Sequence, residues 1–110
     1  MPKTIIADTS CFIVLKNIGE LDLLHKVYSQ ITTTTDIAAE YGEPLPEWVD
    51  IKNVTDKTKQ QLLELQIDTG ESSAIALALE TPNSTIILDD VKARKLATQL
   101  GFVCTGTLGV

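Results

Sequence analysis

Two short apolar runs in this chain, Ile5-Ile6-Ala7-Asp8 and Ile86-Ile87-Leu88-Asp89-Asp90, each end abruptly in carboxylates. Short runs of branched apolar residues read as strands buried on both faces, which is the habit of parallel sheets. Open α/β sheets bind their ligands in the crevice beyond the carboxyl ends of the strands. Acids gathered there repel one another unless a divalent cation lies between them. An all-oxygen donor set suits Mg²⁺ or Mn²⁺. Asp8, Glu40, Glu71 and the pair Asp89-Asp90 are therefore the candidate ligands, and metal-dependent phosphodiester chemistry is the leading idea.

The rest of the chain fits an alternating α/β order. Strands are expected at 4–8, 31–34, 49–54, 85–89 and 102–105. Helices are expected at 11–17, 20–29, 36–41, from 55 or 56 to about 65, 72–80 and 91–100. Leu21, Leu24, Val27 and Tyr28 recur at helical spacing. Ile31 to Thr34 is β-branched throughout. Pro44 and Pro46 make 42–48 a loop, and the alternation in Val49–Val54 marks a half-buried edge strand. The segment led by Asp68-Thr-Gly-Glu71 is apolar over most of its surface and is expected to be a buried helix. Strands alternating with helices imply a parallel sheet with right-handed crossovers. The chain has no internal repeat, no low-complexity tract and no linker, so residues 1–110 are read as one domain.

Composition narrows the function. The 110 residues are 44% apolar, enough for a real core. No apolar run approaches the roughly 20 residues of a membrane helix, and the N-terminus lacks signal-peptide features, so a cytoplasmic protein is expected. Cys11 and Cys104 are far apart and read as free thiols, Cys11 and Cys104 alike behaving as small apolar residues. With His25 the only histidine, neither structural zinc nor Ser-His-Asp or Cys-His chemistry has its ligands. A net charge of −6 argues against a broad basic nucleic-acid surface. It does not exclude a nuclease, because a carboxylate cluster supplies much of that charge. No glycine-rich phosphate loop is present.

Each acid also has a plain structural reading. Asp8 is a good N-cap for the helix that follows, or a metal ligand oriented by Ser10. One of Asp89 and Asp90 caps the helix from Val91, which leaves the other to explain; Asp90 is preferred as the ligand. Asp68-x-x-Glu71 fits a capping box, yet Glu71 opens a nearly all-apolar helix where a charge needs a partner. Glu40 can simply face solvent. Lys92, Arg94 and Lys95 sit one turn beyond the doublet, either as a solvated face or as contacts to a phosphate backbone, Arg94 having the better geometry. His25 reads as surface. Trp48 either stacks a base or covers the edge of the core.

Taken together, Ile-Ile-Ala-Asp8-Thr-Ser10, Thr-Thr-Asp-Ile-Ala-Ala-Glu40, Asp-Thr-Gly-Glu71-Ser-Ser-Ala-Ile-Ala-Leu-Ala and Ile-Leu-Asp89-Asp90-Val-Lys-Ala-Arg94-Lys-Leu-Ala resemble a PIN domain. The likeness covers the whole chain. It is narrowest to a PIN-like subgroup that carries D-x-G-E-x-x-A-I-x-L-A, L-D-D-x-x-A-R and then G-x-x-x-x-G-T-L-G. The resemblance implies a three-layer α/β/α fold around a central parallel sheet, and Mg²⁺- or Mn²⁺-dependent cleavage of single-stranded RNA. It aligns Asp8, Glu40 and Glu71 with the first three acids and Asp90 with the fourth, or Asp89 if the register slips by one. Ser10 falls beside the first acid. Many relatives are toxins of toxin–antitoxin pairs, so an antitoxin-like protein and a second copy of the chain are the protein partners to expect. The third acid is commonly Asp in the toxin nucleases and is Glu here. In the subgroup the chain continues past G-T-L-G into further helices, so the C-terminal part of the domain is expected to be missing after Val110.

The rival from another class is a PIN-like module that has lost activity and only binds a protein partner. A receiver-like domain has its acids on other strands and a lysine after its last strand. A haloacid-dehalogenase-like phosphatase needs Asp-x-Asp after the first strand, and Asp8-Thr-Ser10 lacks the second Asp.

Overall fold

The two branched runs lie side by side at the centre of a five-stranded sheet. The computed structural model describes residues 3–109. Its strands are β1 (Thr4–Ala7), β2 (Ile31–Thr34), β3 (Val49–Lys52), β4 (Ser84–Ile87) and β5 (Val103–Thr105). All pair in parallel, in the order β3-β2-β1-β4-β5. From β1 the chain builds outward to β2 and β3, then returns to add β4 and β5 on the other side. The direction of winding therefore reverses between β1 and β4, which is the switch point where such sheets open a crevice. The register Ala7↔Ile87 brings both strand exits level, and the Asp8 amide donates to the Ile87 carbonyl at 3.2 Å.

Six helices form the outer layers of the three-layer α/β/α fold: α1 (Thr9–Asn17), α2 (Asp22–Tyr28), α3 (Thr35–Tyr41), α4 (Lys57–Leu63), α5 (Thr69–Leu79) and α6 (Val91–Gln99). Helix α5 explains its own composition. It is buried continuously from Gly70 to Ala78 because it packs on β1, β2 and β4 and is flanked by α3, α4 and α6. Burying one large side chain such as Ile75 contributes roughly 1.5–3 kcal/mol. Its two serines must be satisfied inside. Ser73 donates to the Gly70 carbonyl at 2.7 Å and meets the Thr34 hydroxyl at 2.6 Å, while Ser72 reaches the Ile67 carbonyl.

Several boundaries differ from expectation, for local reasons. β1 stops at Ala7 because Asp8 occupies the N-cap position, so α1 starts at Thr9 rather than at 11. β4 stops at Ile87 because the carboxylates of Asp89 and Asp90 are drawn into a turn and a helix cap. Thr34 accepts from the Ile37 amide and so opens α3 a residue early; Gly42 closes it with φ 78°, the left-handed conformation glycine adopts freely. β3 is an edge strand as expected, but it ends at Lys52 rather than 54, and only Val49 is buried: Ile51, which the alternation would bury, is exposed. The tail is a single 3₁₀ turn, Thr107–Gly109, and Val110 lies outside the described residues. Trp48 packs on the core edge and stacks on His25 with centroids 5.1 Å apart. Among the described residues no helix is long and apolar enough to cross a membrane.

Candidate active site

Four separate elements deliver carboxylates to the mouth of the β1/β4 crevice. Asp8 leaves β1, Glu40 comes from the last turn of α3, Glu71 from the first turn of α5, and Asp89-Asp90 from the exit of β4.

Asp8 is 3% exposed. It holds the N-cap position of α1, yet its side chain makes no cap hydrogen bond. The ordinary structural role of the residue is therefore left unused. Burial pushes its carboxyl up from 3.8 to about 7; the Thr9 amide opposes this, and the charges of Asp68, Glu40 and Asp89 reinforce it. Glu71 is also raised, from 4.5 to about 7, by burial first and then by Asp68, Asp90 and Asp8. Among the described residues the charges that shift these two buried acids are those of other acids and not of a cation, an electrostatic cost of the kind that functional sites concentrate.

Glu40 is exposed, but its carboxylate is tethered by the Thr9 hydroxyl. Gly70 shows how close the groups come. A Cβ added at Gly70 would sit 2.7 Å from Glu40 Oε1 and 3.6 Å from Asp8 Oδ1. Glycine thus leaves room for Glu40 where it stands: two carboxylates and the start of α5 share one small space. Gly70→Ala is expected to shift the melting temperature by no more than a few degrees, since the flexible end of Glu40 can swing aside. The same swing breaks the Thr9 contact and moves Glu40 out of the cluster. Thermal melting alongside Mn²⁺ titration checks this: an unchanged Mn²⁺ affinity would remove Glu40 from the site.

The doublet divides its labour. Asp89 has both oxygens engaged by one residue, Oδ1 by the Thr107 amide at 2.7 Å and Oδ2 by the Thr107 hydroxyl. Asp90 caps α6 through Oδ2, which accepts from the Ala93 amide at 2.9 Å. Its charge acts on Glu71, whereas that of Asp89 acts on Asp8.

Other expected participants stand differently. Ser10 is exposed and makes no side-chain hydrogen bond among the described residues; the hydroxyl that meets a carboxylate is that of Thr9. Lys92, Arg94 and Lys95 are exposed, and none pairs with a carboxylate among the described residues. The Arg94 guanidinium lies over Gly106, close to Asp89. Asp68 was legible only as a helix cap, and it does accept from the Glu71 amide at 2.8 Å. Its charge is nevertheless the strongest of the neighbouring charges that act on Asp8 and on Glu71. Beneath the site Thr33 donates to the Ala7 carbonyl at 2.9 Å, and the Thr34–Ser73 pair fixes the start of α5. Nothing local points to these hydroxyls beyond a run of threonines that also reads as plain β-propensity.

As the side chains stand, no three ligating groups among the described residues converge on one point. The donor set is nonetheless the kind a hard divalent cation takes: carboxylate oxygens only, partly buried and mutually repelling.

In comparisons with known proteins, a family model described as a PIN domain (DUF3368) matches residues 4–110. No curated protein and no solved structure matches the chain.

Proposed function

Because the chain belongs to the PIN domain family, whose members are generally nucleases, we propose that it is a Mg²⁺- or Mn²⁺-dependent endoribonuclease acting on single-stranded RNA. One observation carries this reading. Asp8, which caps nothing with its side chain, is buried at the switch point among Glu40, Glu71 and the β4 doublet.

Asp8, Glu40, Glu71 and Asp90 are the residues that would hold the ion. Asp90 is preferred to Asp89, since Asp90 spends one oxygen on its helix cap while both oxygens of Asp89 are engaged by Thr107. A divalent ion bound there supplies a water of lowered pKa and charge stabilisation at the scissile phosphate. The chain does the rest. Thr9 keeps Glu40 turned toward Asp8. The burial of Asp8 and Glu71 limits the screening of those two charges, while Glu40, Asp89 and Asp90 are exposed and open to an arriving ion. Lys92 and Arg94 on the first turn of α6 are exposed cations that form no ion pair with a carboxylate among the described residues, which suits a phosphodiester backbone arriving beside the acids. The toxin half of a toxin–antitoxin pair is the role this activity fits, with an antitoxin-like protein as partner.

Incubation with single-stranded RNA in Mn²⁺ is expected to give cleavage that stops on chelation and returns when the metal is restored. Cleavage indifferent to chelation would reject the metal-dependent mechanism. Saturable protein-partner binding with no cleavage and no Mn²⁺ uptake would favour the inactive partner-binding module instead.

A further inference from the structure

Asp89 and Thr107 are joined at two points, and nothing in the reaction requires that link. Thr107 is 4% exposed in an otherwise exposed terminal turn whose next residue, Leu108, is 93% exposed. It engages Asp89 twice, through its amide and its hydroxyl. The turn that carries it also packs against α1. Gly106, just before it, brings the backbone so near that an added Cβ would lie 3.2 Å from Asp89 Oδ1. The Leu88 amide completes the join by donating to the Thr105 carbonyl at 2.9 Å. The turn built on this threonine thus joins the exit of β4 to the end of β5, beside α1.

The geometry points to Thr107 as a positioning residue: by clamping Asp89 it fixes the β4–α6 corner and so aims the adjacent Asp90 at Glu71. A corner held at one carboxylate leaves its neighbour a single backbone direction. Without the clamp, Asp89 is free to compete for the Ala93 amide or for a cation, and Asp90 loses its fixed bearing. Outer partners that orient ligating carboxylates typically alter metal affinity by about 10–100-fold when removed. This inference rests on the metal-site reading above, and the experiment separates the two.

Three variants are compared with the parent: Thr107→Val, which removes only the hydroxyl; Thr107→Ser, which keeps it; and Asp89→Asn. The first readout is amide hydrogen exchange at Ala93 and Thr107 in metal-free protein, well below melting. The second is Mn²⁺ affinity by calorimetry. Thr107→Val is expected to speed exchange at Ala93 by about tenfold or more and to weaken Mn²⁺ binding by about tenfold. Thr107→Ser is expected to restore both to within about twofold of the parent. If Thr107→Val does not fold, Asp89→Asn reads the same clamp from its other side and must show the same two changes. Unchanged exchange at Ala93 overturns the inference, as does unchanged Mn²⁺ affinity in a variant whose parent binds. If the parent binds no Mn²⁺, the metal-site reading fails by itself, and the exchange at Ala93 still decides whether Thr107 holds the corner.

Discussion

Asp8→Asn is expected to do two opposite things: to abolish RNA cleavage, by more than roughly 100-fold, and to make the metal-free protein more stable at pH 8. The first follows from placing Asp8 at the centre of the acid cluster, touched electrostatically by Glu40, Asp68 and Asp89. The second follows from its burial. At pH 8 its carboxyl, pushed up to about 7, is mostly ionised in a desolvated place surrounded by like charge. An amide of the same shape carries none of that repulsion, though it too is polar and must be desolvated. The net gain is on the order of 2 kcal/mol, which for a chain of this size raises Tm by roughly 10 °C. The pairing of lost activity with gained stability separates a functional acid from a structural one, because removing a true helix cap costs stability. A variant that melts lower at pH 8 would show that Asp8 supports the fold. A variant that cleaves at the parental rate would exclude it from the chemistry.

Which parts of this arrangement the sequence discloses depends on range. Asp8 and the Asp89-Asp90 doublet were visible because strand exits are local: a branched run ends, and the next side chain must emerge at the crevice. That the two exits adjoin depends on strand order, and only the pairing of β1 with β4 brings Ala7 level with Ile87. The character of α5 was visible because a helix apolar all round has nowhere to go but the interior. Its partners were not, since sequence spacing says nothing of what lies opposite a helix. Asp68 shows the limit most plainly. Its spacing to Glu71 identifies a cap, and the cap exists. The same carboxylate also acts on Asp8, sixty residues earlier in the chain, and no local pattern carries that. Thr9 and Thr107 were missed for a related reason. A hydroxyl gains meaning from its partner, and Glu40 and Asp89 are reached only through the tertiary fold. Ser10, which stands at the helical position next to Thr9, faces solvent instead. One step along a helix turns a side chain by about 100°, enough to exchange the two roles.

Metal-free protein is expected to lose stability as pH rises from about 4 to about 7, the reverse of ordinary acid denaturation. Asp8 has an ordinary pKa of 3.8 and Glu71 one of 4.5, and both are raised to about 7 in the fold. Between those limits the folded state binds more protons than the unfolded state, so the slope of stability against pH is negative. The contribution is fully present below about pH 4, is lost through about pH 7, and is flat above. Glu80 acts in the opposite sense: burial raises its carboxyl, but hydrogen bonds from Thr55 and Asp56 hold it below 4.5. Being exposed, it bends the curve only at the acid end. Melting curves at pH 5 and pH 8 in the presence of a chelator are expected to differ by on the order of 10 °C, with the higher Tm at pH 5. Mn²⁺ must then act unevenly, because it binds the ionised cluster and competes with protons for it. At a concentration 100 times its dissociation constant it adds about 2.7 kcal/mol, realised at pH 8 and largely absent at pH 5. The two Tm values therefore converge or cross when metal is added. An equal Mn²⁺ effect at both pH values would place its binding away from Asp8 and Glu71. A metal-free Tm that climbs from pH 5 to pH 8 would mean that the cluster opens to water and is not buried as described.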